Sequence, residues 1–257
     1  MDDNTRRIYE KYGINPKERE KENQEILNKR MKELSDLNRD RLVKEFNEGL
    51  DKNYDDLKEY LFFYNVTIFK ELESNIFQNI QCLIVNAYSA SITLTNLILE
   101  RLLKLTLIQN EIGLDPVRIE DWNETYKETH RYSKMILNET IKLCHERNLI
   151  NDEQEEYLTD MRNQFRNGFS HYDPTKILID HKETAEVHFS NENPEKAYDI
   201  EVNMKQIPVL QYYYVKQFAR ENALQYFDYV FHLIRSIEKK LKYKHNYEGS
   251  KKTNGNN

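Results

Sequence analysis

"LIVNAYSASITLTNLILERLLKLTLI", residues 83–108, is the most apolar stretch of the chain, and its reading decides the fold. A membrane span needs roughly 20 consecutive apolar residues. Here Asn86, Asn96, Glu100 and Arg101 interrupt the run, so it reads as a core helix and not as a membrane segment. Its pattern predicts one buried helix from about Phe77 to Asn110, ended by Gly113 and Pro116.

Outward from that helix, composition points the same way. Of 257 residues only 6 are glycine and 5 proline, which means few tight turns and favours long helices over a many-stranded sheet. Hydrophobic residues make up 39% and charged ones 32%, but 18 tyrosines help to supply a core for a globular, soluble protein. A net charge of −6 excludes the bulk positive charge of a non-specific nucleic-acid binder. Any site for a polyanion must therefore be local. Cys82 and Cys144 stand apart without metal-ligand spacing and read as free thiols of a reducing, cytoplasmic compartment. The polar start "MDDNTRRIYEKYG" lacks the apolar core of a secretory signal.

Two charged segments come first, residues 17–35 with Ile26, Leu27, Met31 and Leu34, and residues 36–50 with Leu37, Leu42, Val43, Phe46 and Leu50. Each carries a thin apolar stripe at helical spacing without regular heptads, and either can pack on a partner chain. Residues 1–54 thus form a charged helical extension. A further helix is expected to be capped by Asp55 or Asp56 and to carry Leu57, Leu61, Tyr64, Ile68 and Leu72. After the core helix, Asp121 is expected to start a helix finishing near Asn148, and Asn151 or Asp152 another that Gly168 ends. "AEVHF" and "AYDIEVN" alternate with period two and predict a small β-hairpin at about 185–203. The last long helix is expected from about Val209 to Tyr243, and residues 244–257 form a polar tail expected to be disordered. The fold class is all-α, with residues 55–243 as one helical domain.

The chemistry concentrates in "RNQFRNGFSHYDP", residues 162–174. Arg162 and Arg166 lie four apart and share a helix face. Arg166 and His171, five apart, would diverge by about 140° on an unbroken helix. If Gly168 breaks the helix, His171 can return beside Arg166. Arginine offers a donor fork matched to phosphate oxygens, and histidine exchanges protons near neutral pH. Such a set needs no metal or other cofactor: a base for the ribose 2′-OH, an acid for the leaving 5′-oxygen and positive charge on the phosphorane suffice for RNA cleavage. The same residues also suit an ordinary helix end, where arginines meet the macrodipole.

"RNGFSH", Arg166 to His171, resembles the signature of the HEPN family: an arginine, a polar residue (Asn167), and a histidine after four to six intervening positions. The helical setting and the acidic "LILERLLK" with Glu100 are similar to that family too. The resemblance implies a four- or five-helix bundle that dimerises with two motifs facing each other, often as a metal-independent endoribonuclease. It makes His171 the catalytic acid or base, Arg166 the phosphate and transition-state ligand, and Asn167 the residue that orients the site. Arg162, Tyr172 and Glu100 are supporting or RNA-binding candidates, Glu100 by bracing Arg166 or by simply pairing with Lys104. The implied setting is cytoplasmic antiphage defence or a toxin system cutting RNA such as tRNA, without a membrane and with a protein or RNA antitoxin as a possible partner. A non-catalytic module holding RNA, a nucleotide or a protein is the alternative. Some relatives carry a modified tyrosine two residues after the histidine; here Tyr172 follows directly and Asp173 takes the second place. His181, His188 and Asp180 are too few for a metal site without geometry, and the tyrosine run at 211–218 suits a core stripe or base stacking.

Overall fold

The protein, seen in a computed structural model, is described for residues 7, 11–13, 15–62, 66–171, 173–179, 184–189, 198–203 and 206–247. It divides into two compact units, up to Lys52 and from Asn53 onward.

Helix α1 spans Pro16–Phe62. The two charged segments and the expected start at Asp55 are one continuous helix, because no proline or left-handed residue interrupts them. Asp55 does not cap; it pairs with Lys58 one turn on, at 2.8 Å. In the first unit the surface is held by spaced pairs such as Arg41–Glu45 (3.6 Å) and Lys44–Glu48 (3.7 Å), each worth a few tenths of a kcal/mol.

In the second unit the last turns of α1 enter the core. Leu57 and Tyr60 are buried, and the Tyr60 ring meets Phe227 and Phe231 edge-on at 5.2 and 5.1 Å. The helix expected to continue to Leu72 is described to Phe62; positions 63–65, the expected Tyr64 among them, lie outside the described residues, Val66 is no longer helical, and a 3₁₀ turn, Lys70–Leu72, leads into helix α2, Glu73–Ile84. The stretch Val66-Thr67-Ile68 is β-branched and poorly suited to a helix. Its amides are taken by one carboxylate: Glu238 Oε1 accepts from the N–H groups of Thr67 (2.8 Å), Ile68 (2.6 Å) and Phe69 (3.3 Å).

The expected helix from Phe77 to Asn110 is two helices, α2 and α3 (Tyr88–Ile112). Asn86 breaks it with φ 58, a left-handed conformation that asparagine tolerates. The Ala87 N–H then donates to the Cys82 carbonyl at 2.8 Å, and Asn53 Nδ2 donates to the Ile84 carbonyl at 2.9 Å. Gly113, at φ 88, ends α3.

A single helix from Asp121 to Asn148 is also not what forms. The chain runs through a 3₁₀ turn (Ile119–Asp121) and helices α4 (Trp122–Lys127), α5 (His130–Ser133) and α6 (Leu137–Glu146). Tyr132 and Leu137 are both buried although five residues apart, which a straight helix would place on different sides. The breaks between α4 and α6 let both reach the core.

Helix α7 (Asp152–Met161), a π-helical turn (Arg162–Arg166), and the short helices α8 (Asn167–His171) and α9 (Pro174–Ile177) follow. Strands β1 (Thr184–Phe189) and β2 (Tyr198–Asn203) pair antiparallel, Thr184 opposite Asn203 and Phe189 opposite Tyr198. Their connection, 190–197, lies outside the described residues, as do positions 180–183. The chain closes with α10, Pro208–Lys244; of the expected polar tail, residues 248–257 lie outside the described residues.

Helix α3 is the hub, packed against α10, α2 and α6. It is buried on several faces, at Ile92, Ile98, Leu99, Leu102, Leu103 and Leu107, each worth about 1.5–3 kcal/mol. Cys144 is buried, which pushes its thiol up to about 12, and Cys82 is half-buried; both are free. Among the described residues no helix is long and apolar enough to cross a membrane.

Glu238 is 7% exposed, so truncating it strands three amides in the interior. Glu238→Ala is expected to cost about 2–4 kcal/mol in urea unfolding, and Glu238→Gln clearly less.

Candidate functional site

Helix α7 is set by its first turn. Asn151 Oδ1 accepts from the Gln154 N–H (2.9 Å), and Gln154 Oε1 accepts from the Asn151 N–H (3.0 Å), a reciprocal cap. His145 sits between two carboxylates of this turn, Nε2 at 2.6 Å from Asp152 and Nδ1 at 3.0 Å from Glu155. The Asp152 bond raises its proton affinity above the ordinary histidine value.

The helix does not end where it reaches the motif. From Arg162 it widens into a π turn, in which the Asn167 N–H donates to the Arg162 carbonyl, five residues back. Turns of this kind recur at functional sites. Phe165, at its centre, is buried against Tyr226 of α10, ring centroids 4.6 Å apart and nearly parallel at 15°. The Tyr226 hydroxyl donates to Asn96 Oδ1 of α3 at 2.8 Å.

Gly168 does not break the helix. It is buried inside α8 without a positive φ, and a Cβ there would lie 2.5 Å from Ile177 Cγ1. Glycine is needed for close approach to α9, not for a turn. The reversal comes later, where the Asp173 N–H donates to the Gly168 carbonyl (2.8 Å) and Asp173 caps α9. Asp173 Oδ1 accepts from the Thr175 hydroxyl (2.6 Å) and N–H (3.1 Å), and Lys176 stands 3.0 Å from Oδ2. The Thr175 hydroxyl bond, with Lys176 beside it, lowers the carboxyl to about 2. Asp173 therefore has a structural task, capping α9.

The backbone of α8 is helical through His171, so the break expected at Gly168, by which His171 would return beside Arg166, does not form. The His171 side chain and the whole of Tyr172 lie outside the described residues. Arg162 and Arg166 are roughly one turn apart and half-buried. Arg162 donates through Nε (3.2 Å) and Nη2 (2.7 Å) to Asn163 Oδ1, a neutral acceptor. The guanidinium of Arg166 has no hydrogen bond or ion pair among the described residues.

The four other arginines between residues 66 and 166 each meet a carboxylate: Arg101 with Glu71 (2.5 Å), Arg118 with Asp121 (2.9 Å), and Arg131 (2.6 Å) and Arg147 (3.6 Å) with Glu111. Glu100 pairs with Lys104 at 2.9 Å and not with Arg166. Lys104 also donates to the Ser133 carbonyl (3.2 Å).

Asn167 lines a groove of about 580 Å³ together with Asp160, Met161, Asn163, Gln164, Lys176 and Ile179. Sequence reading missed this amide-rich wall, although the alternation of arginine and amide in "RNQFRN" was a visible trace of it. Tyr212 and Tyr213 are exposed, whereas Val215 and Phe218 of the same run are core. Among the described residues no three His, Cys, Asp or Glu side chains gather to hold a metal; the side chains of Asp180, His181 and His188 lie outside them. Compared with models of protein families, with curated proteins and with solved structures, the chain matches none.

Gly168→Ala is expected to destabilise the protein by about 1–3 kcal/mol through overpacking. Ile177→Ala in the same chain should recover part of that loss, which thermal unfolding of the single and double variants measures.

Proposed function

We propose that this chain is a HEPN-type, metal-independent endoribonuclease acting in antiphage defence or as a toxin. One observation carries the reading: two adjacent arginines without carboxylate partners, on a π turn of an otherwise acidic chain, at the residues that resemble the HEPN motif. An arginine that no carboxylate neutralises is available to a phosphate.

In this reading the guanidinium of Arg166 holds the scissile phosphate and stabilises charge on the phosphorane, and Arg162 holds a neighbouring phosphate. His171 takes the proton from the ribose 2′-OH as that oxygen attacks phosphorus. The bond to the 5′-oxygen breaks, and a second histidine returns a proton to it. The products are a 2′,3′-cyclic phosphate and a 5′-hydroxyl. Each chain has one His171, so the acid and the base come from two copies, which makes the enzyme a homodimer. Asn167 orients the site. Tyr172 is an RNA contact. Glu100, engaged with Lys104, has no direct role. The fold is then a HEPN-like bundle, the substrate RNA, and any antitoxin acts by covering the arginines.

A second reading is favoured by the helix that runs through His171 without the expected break at Gly168. The arginines and the amide-lined groove then form a non-catalytic module that holds RNA or a nucleotide.

With end-labelled tRNA as substrate, Arg166→Ala is expected to lower cleavage by about 10²–10³-fold. His171→Ala is expected to lower it by about 10²–10⁴-fold. Both should leave the unfolding midpoint unchanged. Cleavage by His171→Ala at the unaltered rate overturns the enzyme, and retention of tRNA without scission by the unaltered chain selects the second reading.

A further inference from the structure

In the first unit, one face of α1 carries large apolar side chains that are exposed. Leu27, Met31, Leu34, Leu42 and Phe46 are each 44–60% exposed. Their spacing of four, three, eight and four residues keeps them in one stripe along a straight helix, and the missing position in the gap of eight is Asn38. Contiguous apolar surface of this kind marks an interaction face.

We infer that this stripe is covered by the same stripe of a second copy of the chain, running antiparallel, with a two-fold axis at Asn38. Three observations select that occupant.

The first is the arrangement of the stripe about Asn38. In an antiparallel pair centred there, residues whose numbers sum to about 76 lie opposite each other. Leu34 meets Leu42 of the other copy, and Met31 meets Phe46. Asn38 meets itself, and a lone asparagine in an apolar seam fixes register by bonding to its counterpart.

The second is charge. Residues 17–32 carry six Lys or Arg and four Asp or Glu, net +2; residues 33–52 carry four and six, net −2. Antiparallel pairing lays the positive half of each copy on the negative half of the other, and sets Arg30 beside Glu48. Parallel pairing sets like on like.

The third is size. The smallest specific interfaces remove about 1,200 Å² in total, or roughly 75 Å² from each of eight side chains per copy. The five stripe residues and the flanking Ile26, Leu37 and Val43, also exposed, make eight. A membrane surface fits less well, because Ser35 and Asn38 lie within the groove that Met31, Leu34 and Leu42 line. The pairing stands whether or not the chain cleaves RNA.

Single-cysteine disulfide trapping of the full chain tests it. Asn38→Cys should form a disulfide-linked dimer under mild oxidation, above the background that Cys82 and Cys144 give in the unaltered chain. Met31→Cys should not, because an antiparallel pair holds the two copies of residue 31 about 21 Å apart along the axis. Adding Leu42→Glu to Asn38→Cys should cut the trapped dimer at least tenfold. Trapping at both positions would make the pair parallel and overturn the proposal. Failure at Asn38 would overturn it too, and sedimentation with anionic phosphatidylserine vesicles would then make the stripe a membrane face.

Discussion

The placement of the arginine-bearing turn rests on Tyr226. Its ring lies flat on Phe165 of the π turn, and its hydroxyl donates to Asn96 of α3. One side chain of α10 thereby joins the hub helix to the candidate site. Burial pushes its phenol well above the ordinary tyrosine value, so it stays a donor throughout the physiological pH range. Phe218 and Phe169 add to the same aromatic cluster. With Phe165 held inward by these rings, the wider π turn leaves Arg162 and Arg166 half-buried at its edge.

Charge placement sharpens the point. Several arginines of the second unit have a carboxylate close by. Glu111 serves both Arg131 and Arg147, and Glu238 is spent on backbone amides. His145 is held by the acidic first turn of α7, at the other end of the helix that leads to the motif. At the motif end, Arg162 bonds the Asn163 amide, and the groove beside it is lined by Asn163, Gln164 and Asn167 together with Asp160 and Lys176. In the proposed reading the arginines meet the phosphate and the amides a base edge.

Much of the helical framework was legible in the sequence. The apolar run at 83–108, the stop at Gly113, the cap at Asn151 and the extent of the last helix follow from local chemistry that survives packing. What failed was the joining of segments. Asparagine at 86 and 148 takes the left-handed turns for which glycine is the usual signal, and the chain has few glycines. The stop before Val66 depends on Glu238, 170 residues away from Ile68 along the chain, which no local pattern reveals. Gly168 was visible as a glycine, but whether it served a turn or a close approach was settled by Ile177. The π turn follows from how Phe165 packs, and "RNQFR" alone carries no trace of it. Of the candidate site, the arginines could be found from residue type. That Glu100 turns to Lys104 could not be decided without the fold.

The most direct test of the functional reading is the chemistry of the cut ends. Purified protein incubated with RNA in excess EDTA, with the fragments resolved by mass spectrometry, is predicted to give 2′,3′-cyclic phosphate and 5′-hydroxyl ends. Cleavage that requires added Mg²⁺ and leaves 3′-hydroxyl and 5′-phosphate ends would contradict it.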